Sequence, residues 1–507
     1  MENFLSLVIF FPAIAGLLGV FVEEKNIKAY AIAMSFIEFA LSLVLWFSYE
    51  GGVAFSSSHD IISAYGISYF IGVDGISLFL VILSTLMTFL ALLSLSVVER
   101  LKNLVLAILF LEMTMVGVFV ALDAILFYIF WELSLVPMLY IIGAWGSGRR
   151  IYAAVKFFLY TFFGSMYLLV GLIAIRYFYY KSTGEYSFNL IAWQSLRLPI
   201  NVQNWLFLAF GIAFAIKTPM FPFHTWLPYA HGQAPTVGSV LLAAILLKMG
   251  TYGFVRFSLP LFPDASVYFS SLMCILAIIM VIYASFIAFA QKDIKQVVAY
   301  SSIAHMGIII LGIFSLSVEG ISGAIFLMIS HGIISGGLFM LVGFIYERRH
   351  TKLFSEFGGL AKVMPVYAFC FGVILFASVG LPLTSGFVGE FLSLLGIFKV
   401  NFTYALLGGL GIIMGAVYSL SLYKKTFFGD ITIEQNRSLK DLKFSEILSI
   451  VPICVLAIFL GVAPNFMLNK IDLSVGEMTE IMKNSAQNIS TRNYLEKANF
   501  KAVINAK

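Results

Sequence analysis

Charge is what this sequence has least of. Only 11% of its 507 residues are Asp, Glu, Lys or Arg, against 61% hydrophobic ones, and so few polar groups cannot cover a water-soluble globule of that size. Cysteine is nearly absent too: Cys274, Cys370 and Cys454 each stand alone in an apolar run, with no second cysteine nearby in the sequence. That spacing excludes a disulfide framework, an iron–sulfur site and a zinc site. No G-x-G-x-x-G follows a strand and no G-x-x-x-x-G-K-[ST] occurs, so the energy that drives this chain arrives from elsewhere. Barrel-type alternation is missing as well. The net charge of +5 reflects basic loops and reads as orientation in a membrane, with no nucleic acid as partner.

What the chain has in quantity is long apolar runs. Runs of about 20 residues recur throughout, each long enough as a helix to cross a hydrocarbon core about 30 Å thick. The sequence therefore predicts an all-α polytopic membrane protein of about 14 transmembrane helices. Residues 4–22 carry Glu2 ahead of them but no Lys or Arg, and no small-x-small site follows, so they read as a retained first helix. Further spans are expected at 27–49, 75–98, 104–122, 234–257, 267–290, 404–423 and 447–468, with others between them. The loop 50–69 reads as polar, with His59 and Asp60 exposed, and the tail from Lys470 as a surface segment.

The run AIKTPMFPFHTWLPYAHGQAPTVGSVLLAAILLKMGTYGFVR, residues 215–256, organises the rest. An apolar helix arrives at Lys217, breaks at Pro219 and Pro222, crosses a polar turn holding His224 and His231, and resumes as a helix carrying Lys248. A lysine at the centre of a membrane helix costs about 3 kcal/mol on insertion scales and more in simulation, so its default reading is an ion pathway. Proline frees a backbone carbonyl that lipid cannot satisfy, and broken helices of this kind mark transport sites. A second break, Gly380-Leu381-Pro382, precedes Glu390.

Other intramembrane candidates are Glu132 within FYIFWELSLVPMLY, and His305 and His331 on consecutive helices, since histidine titrates near physiological pH. Glu112, Lys156 and His224 are accessory candidates. Glu112 can equally be a neutral, hydrogen-bonded carboxyl, and Lys156, about one turn inside its helix, can reach the interface along its stem. Arg176, beside a tyrosine cluster, reads as an interfacial anchor.

The two breaks occupy comparable places in two blocks of five helices, and KFFLYTFFGS and IFLMISHGII fall into register. This predicts two inverted five-helix repeats, each with a discontinuous helix. The expected division is 1–102 (helices one to three), 103–257 (first repeat), 266–425 (second repeat) and 426–507 (last helix and surface tail). Lys and Arg crowd the odd-numbered loops, among them Lys25, Arg100, Arg149, Lys292 and Arg348. The even loops hold only Lys181, Arg197, Arg256 and Lys399. Both termini are therefore expected on the outer face.

The stretches FYIFWELSLVPM, AIKTPMFPFHTWLPYAHGQAPTVGSVLLAAILLKMG, AQKDIKQVVAYSSIAHMGI and SGFVGEF closely resemble the antiporter-like membrane subunits of respiratory complex I, the NADH-quinone oxidoreductase. The likeness runs over most of the chain. It implies proton translocation coupled to quinone reduction, with Glu132 and Lys217 as a charge pair, Lys248 as central relay, the histidines as connectors and Glu390 as the acid near the exit. It also implies that NADH, FMN, iron–sulfur clusters and quinone are bound by other subunits and none by this chain. The partners expected are L-type and N-type antiporter-like subunits in a bacterial inner membrane. Within the superfamily, Glu390 points to the M-type branch, because the L and N subunits and Mrp-type antiporters usually carry lysine there. Tyr229 and Gln296 depart from the family pattern and are expected in loops. The alternative is a subunit of an Mrp-type cation/proton antiporter or of a membrane-bound hydrogenase; a bare scaffold would leave the intramembrane lysines without cause.

Overall fold

The computed structural model describes residues 3–96 and 98–499, and within them nearly every apolar run is a helix. We label these α1 (Phe4–Gly19), α2 (Ile27–Phe47), α3 (Leu78–Ser94), α4 (Leu101–Val120), α5 (Ala124–Trp145), α6 (Arg150–Thr183), α7 (Ile200–Lys217), α8 (Trp226–Gln233) and α9 (Thr236–Leu261). There follow α10 (Pro263–Ala290), α11 (Ile294–Ile313), α12 (Val318–Arg349), α13 (Pro365–Ser378), α14 (Ser385–Val400), α15 (Phe402–Phe427), α16 (Phe444–Val462), α17 (Asn465–Ser485) and α18 (Ile489–Ala498). Among the described residues eleven helices are long and apolar enough to span a membrane, and α1, α3 and α13 are shorter apolar helices. That agrees with the expected fourteen.

Side-chain caps fix where several helices start. The Asp123 carboxylate accepts from Ile125 N at 2.9 Å and Leu126 N at 3.0 Å, Asp293 accepts from Gln296 N at 3.1 Å, and Ser317 from Gly320 N at 3.1 Å. Each satisfies amide donors that a helix N-terminus leaves without partners. These caps set the depth at which Glu132, His305 and His331 lie along α5, α11 and α12.

Each five-helix block, α4 to α9 and α10 to α15, has its fourth helix in two pieces: α7 with α8, and α13 with α14. Five crossings bring the chain back on the opposite side, so the second block runs inverted relative to the first. Helices α9 and α12 lie at the centre, with every residue of their apolar windows buried. Hydrogen bonds tie the loops into two faces. On the odd-loop face Ser147 N reaches Gln233 O at 2.8 Å, and Lys295 Nζ reaches Ala234 O at 2.7 Å. On the even-loop face Leu122 N reaches Phe70 O at 2.9 Å and Phe188 N reaches Gly66 O at 3.0 Å.

The structure departs from the sequence reading in several places. The stretch expected as a plain polar loop folds as an antiparallel hairpin, β1 (Ala54–Ile62) and β2 (Ile67–Val73), turned at Gly66 with φ 69°; its β-branched and aromatic residues favour strand pairing. His59 and Asp60 are exposed on it, as expected. The turn expected to hold His231 winds into α8. Tyr229 is therefore on a helix, and Gln296 is in the first turn of α11, where its amide donates to Pro228 O at 3.1 Å. Arg256 is not in a loop but buried within α9, and Lys399 lies in the last turn of α14, 2.6 Å from Glu319. Cys370 and Cys454, far apart in sequence, meet across α13 and α16, where the Cys454 thiol donates to Cys370 O at 3.8 Å. The tail forms α17 and α18, whose apolar faces pack on the bundle; residues 1, 2 and 500–507 of the expected end domains lie outside the described residues.

Candidate functional site

The polar groups buried in the bundle fall into two clusters that meet at α9. The first stands where α7 ends. Lys217, only 1% exposed, donates to Ser134 Oγ at 3.4 Å and lies 4.9 Å from the Trp131 ring. Trp131 is itself held by Ser165, 2.9 Å from its indole N–H. Burying an ion costs several kcal/mol, which a cation–π contact of about 2 kcal/mol and one long hydrogen bond do not offset, so the ammonium relies on Glu132. That acid follows Trp131 in the chain but forms no ion pair with Lys217 within 4.0 Å among the described residues. The expected charge pair is thus present as neighbours and open as a contact, and Glu132 Oε1 has no hydrogen-bond partner.

The second cluster holds two hydrogen-bonded pairs. Helix α9 contains two π-helical segments, Leu242–Leu246 and Phe254–Ser258, on either side of Leu247–Gly253. A wider turn turns carbonyls out of the regular ladder, and Lys248 uses one: its Nζ donates to Ala243 O. The same Nζ is 2.8 Å from His331 Nδ1. The His331 and His305 rings are 5.5 Å apart between centroids. His305 Nδ1 is 2.9 Å from Glu390 Oε1, and its Nε2 is 3.2 Å from Ser378 Oγ. Lys248–His331 and His305–Glu390 are therefore two hydrogen-bonded pairs lying in a row across α9, α12, α11 and α14; both His305 nitrogens are taken by Glu390 and Ser378, and His331 Nε2 has no partner. An imidazole can take a proton on one nitrogen while giving one from the other, so such a row can hand protons along.

The second break positions the row's end. Gly380 has φ 77° and Leu383 has φ 73°, so the chain reverses sharply around Pro382. Glycine adopts that conformation freely, and a Cβ on Gly380 would lie 2.6 Å from Glu390 Oε2. The missing side chain makes room for the carboxyl. At the first break, Pro219 and Pro222 separate α7 from α8, and the Trp226 indole N–H donates to Ile216 O at 2.9 Å, serving a carbonyl near the end of α7.

The accessory candidates lie off the row. Lys156 is half-buried over the Tyr229 ring at 4.1 Å, and His224 packs against Tyr283 at 5.4 Å. Glu112 is fully buried, and the acid that acts on it is Glu38 of α2. None of their four carboxyl oxygens has a hydrogen-bond partner. Arg176 stacks over Tyr186 at 4.0 Å, as an interfacial anchor would.

Sequence reasoning did not single out Glu38 or assign a role to His231. The latter is fully buried on α8 and stacked on Phe339 at 4.4 Å, with both ring nitrogens free of hydrogen bonds. Its signal was the second histidine of HTWLPYAH, which the following Gly-Gln-Ala-Pro made look like a loop. Nearby, on the odd-loop face, a cavity of about 310 Å³ is lined by Gln233, Ala234, Lys295, Glu347, His350 and Lys352 among others.

The profile of the family described as NADH:quinone oxidoreductase/Mrp antiporter, TM, matches residues 121–415. NADH-quinone oxidoreductase subunit M of Rickettsia prowazekii is 47% identical over 484 residues, covering 93% of this chain and 97% of that one. Its counterpart in Rhodobacter capsulatus is 44% identical over 499 residues, covering 95% and 97%. Among solved structures, a chain of respiratory complex I from Thermus thermophilus with bound NADH superposes with a TM-score of 0.84 at 32% identity, over 94% of this chain and 99% of that one. The Mrp complex from Dietzia gives 0.78 at 21% identity, over 96% of this chain and 52% of that one, a likeness of fold alone.

Proposed function

The chain belongs to the subunit M family of NADH-quinone oxidoreductases, a proton-translocating membrane-arm component of a multi-subunit enzyme, and from that premise we propose which of its groups carry the proton. Glu132 and Lys217 act as a switch, Lys248 as the central relay, His331 and His305 as connectors, and Glu390 as the acid that releases the proton. The observation that carries this is the row from Lys248 Nζ to His331 at 2.8 Å and from His305 to Glu390 at 2.9 Å. Approach of Glu132 to Lys217 stabilises the ammonium, and separation disfavours it. A conformational change elsewhere in the complex that moves α5 against α7 would thereby load or unload Lys217. In this reading Lys295, which lines the cavity on the odd-loop face, lies on the side from which Lys248 is loaded.

In this reading NADH, FMN, iron–sulfur clusters and quinone belong to other subunits, the lateral neighbours are L-type and N-type antiporter-like subunits, and the membrane is the bacterial inner membrane. The Mrp-type alternative has a fold likeness at 21% identity on its side, whereas Glu390 in place of lysine supports the M-type assignment. The deciding experiment is Lys248→Ala in the assembled complex. NADH-driven proton uptake by inverted vesicles should fall severely at normal complex content; uptake equal to wild type would refute the relay.

A further inference from the structure

A second buried cation, Arg256, lies two turns along the same helix from Lys248. Arg256 lies in the second π segment, its guanidinium meeting the Asp74 carboxylate end on: Nη1 to Oδ2 and Nη2 to Oδ1, both 2.6 Å. Both residues are 8% exposed. Arg256 Nε also donates to Tyr252 Oη at 3.0 Å, whose hydroxyl donates to Phe119 O of α4 at 2.9 Å. On the other side Asp74 Oδ1 accepts from Ile76 N and Ser77 N, each at 3.0 Å, just ahead of α3. Gly75 N donates to Ser474 Oγ of α17 at 2.9 Å. Burial alone would raise the Asp74 carboxyl, but Arg256 and these amides more than offset it and hold it below the usual carboxylate value. A bidentate fork of this kind fixes orientation as well as position.

In the stretch between the π segments, Tyr252 is tied to Phe119 O and Arg256, and Lys248 to Ala243 O and His331. Gly250 and Gly253 turn bare backbone toward α7, where a Cβ on Gly250 would lie 2.7 Å from Phe214 O. Leu247–Gly253 therefore packs directly against the end of the helix that carries Lys217, with a wide π turn at each end.

We infer that Asp74 and Arg256 are positioning residues for proton transfer: they fix one end of the π-bracketed segment, so that Lys248 meets His331. This rests on Lys248 acting as a relay. Removing one charge alone leaves its partner buried without compensation and endangers folding, so the test uses the neutral, near-isosteric double variant Asp74→Asn/Arg256→Gln in the whole complex. Arg256→Lys, which keeps the charge and loses the fork, and Lys248→Ala accompany it. Proton uptake per assembled complex is measured across pH in inverted vesicles alongside quinone reduction. The expected result is a severalfold loss of uptake in the double variant with its pH profile displaced, and a smaller displacement of the same sign in Arg256→Lys. Wild-type uptake, or a uniform loss with an unmoved pH profile, overturns the inference. If Lys248→Ala itself pumps normally, the relay reading has failed instead, which separates the two.

Discussion

At the scale of single residues, the chemistry of the row makes sharp demands. Lys248→Arg keeps a positive charge beside His331, but guanidinium does not release its proton at accessible pH. We expect it to abolish proton uptake almost as fully as Lys248→Ala; recovery of full uptake with arginine would mean that charge alone is needed. Glu132→Gln preserves shape and removes the charge that acts on Lys217. It should abolish pumping and most coupled quinone reduction with assembly intact, while Glu132→Asp keeps part of the activity, measured as uptake per NADH oxidised. Lys156→Ala should do far less, because its nearest feature is the Tyr229 ring and not the row. These residues were legible in the sequence because an ionisable group in an apolar run is conspicuous and costly. His231 escaped notice because its flanks resemble a loop, and Glu38 because nothing in one sequence shows that it faces Glu112.

At the scale of elements, the breaks were readable and their fine structure was not. Pro219, Pro222 and Pro382 announce interruptions, since each removes a backbone donor. The π segments of α9 carry no proline signal, and the loop before α3 gave little sign that a hairpin would form there. The Asp74–Arg256 pair was hidden for a related reason: Arg256 stands near the expected end of a helix, and only the longer α9 reveals that it is buried. Gly380 gives the test at this scale. An alanine there meets two penalties, a left-handed conformation costing about 1–2 kcal/mol and a Cβ 2.6 Å from Glu390 Oε2. Gly380→Ala should therefore push Glu390 away from His305 and lower proton output, and adding Glu390→Asp, whose shorter side chain vacates that space, should restore part of it. A Gly380→Ala complex that pumps normally would show that the carboxyl has room to move.

At the scale of the whole molecule, the question is which face is which. The structure sorts the loops onto two faces, and of the four basic residues counted in even loops, Lys181, Arg256 and Lys399 lie in helices, which leaves Arg197. The tail returns some charge to that side, yet Lys470 donates to the Trp46 and Tyr49 carbonyls, and Lys483 lies 3.0 Å from Glu496. The odd-loop face keeps Arg149, Lys292, Lys352, Arg437 and their neighbours, and by the positive-inside rule it is expected in the cytoplasm. The three native cysteines are buried, which makes single-cysteine labelling clean once they are replaced by alanine. Arg437 and Glu185 are exposed on opposite faces. In inverted vesicles a membrane-impermeant maleimide should label Arg437→Cys and spare Glu185→Cys, and in right-side-out spheroplasts the pattern should reverse. The opposite pattern would invert the protein, and with it the sides proposed for proton entry and release.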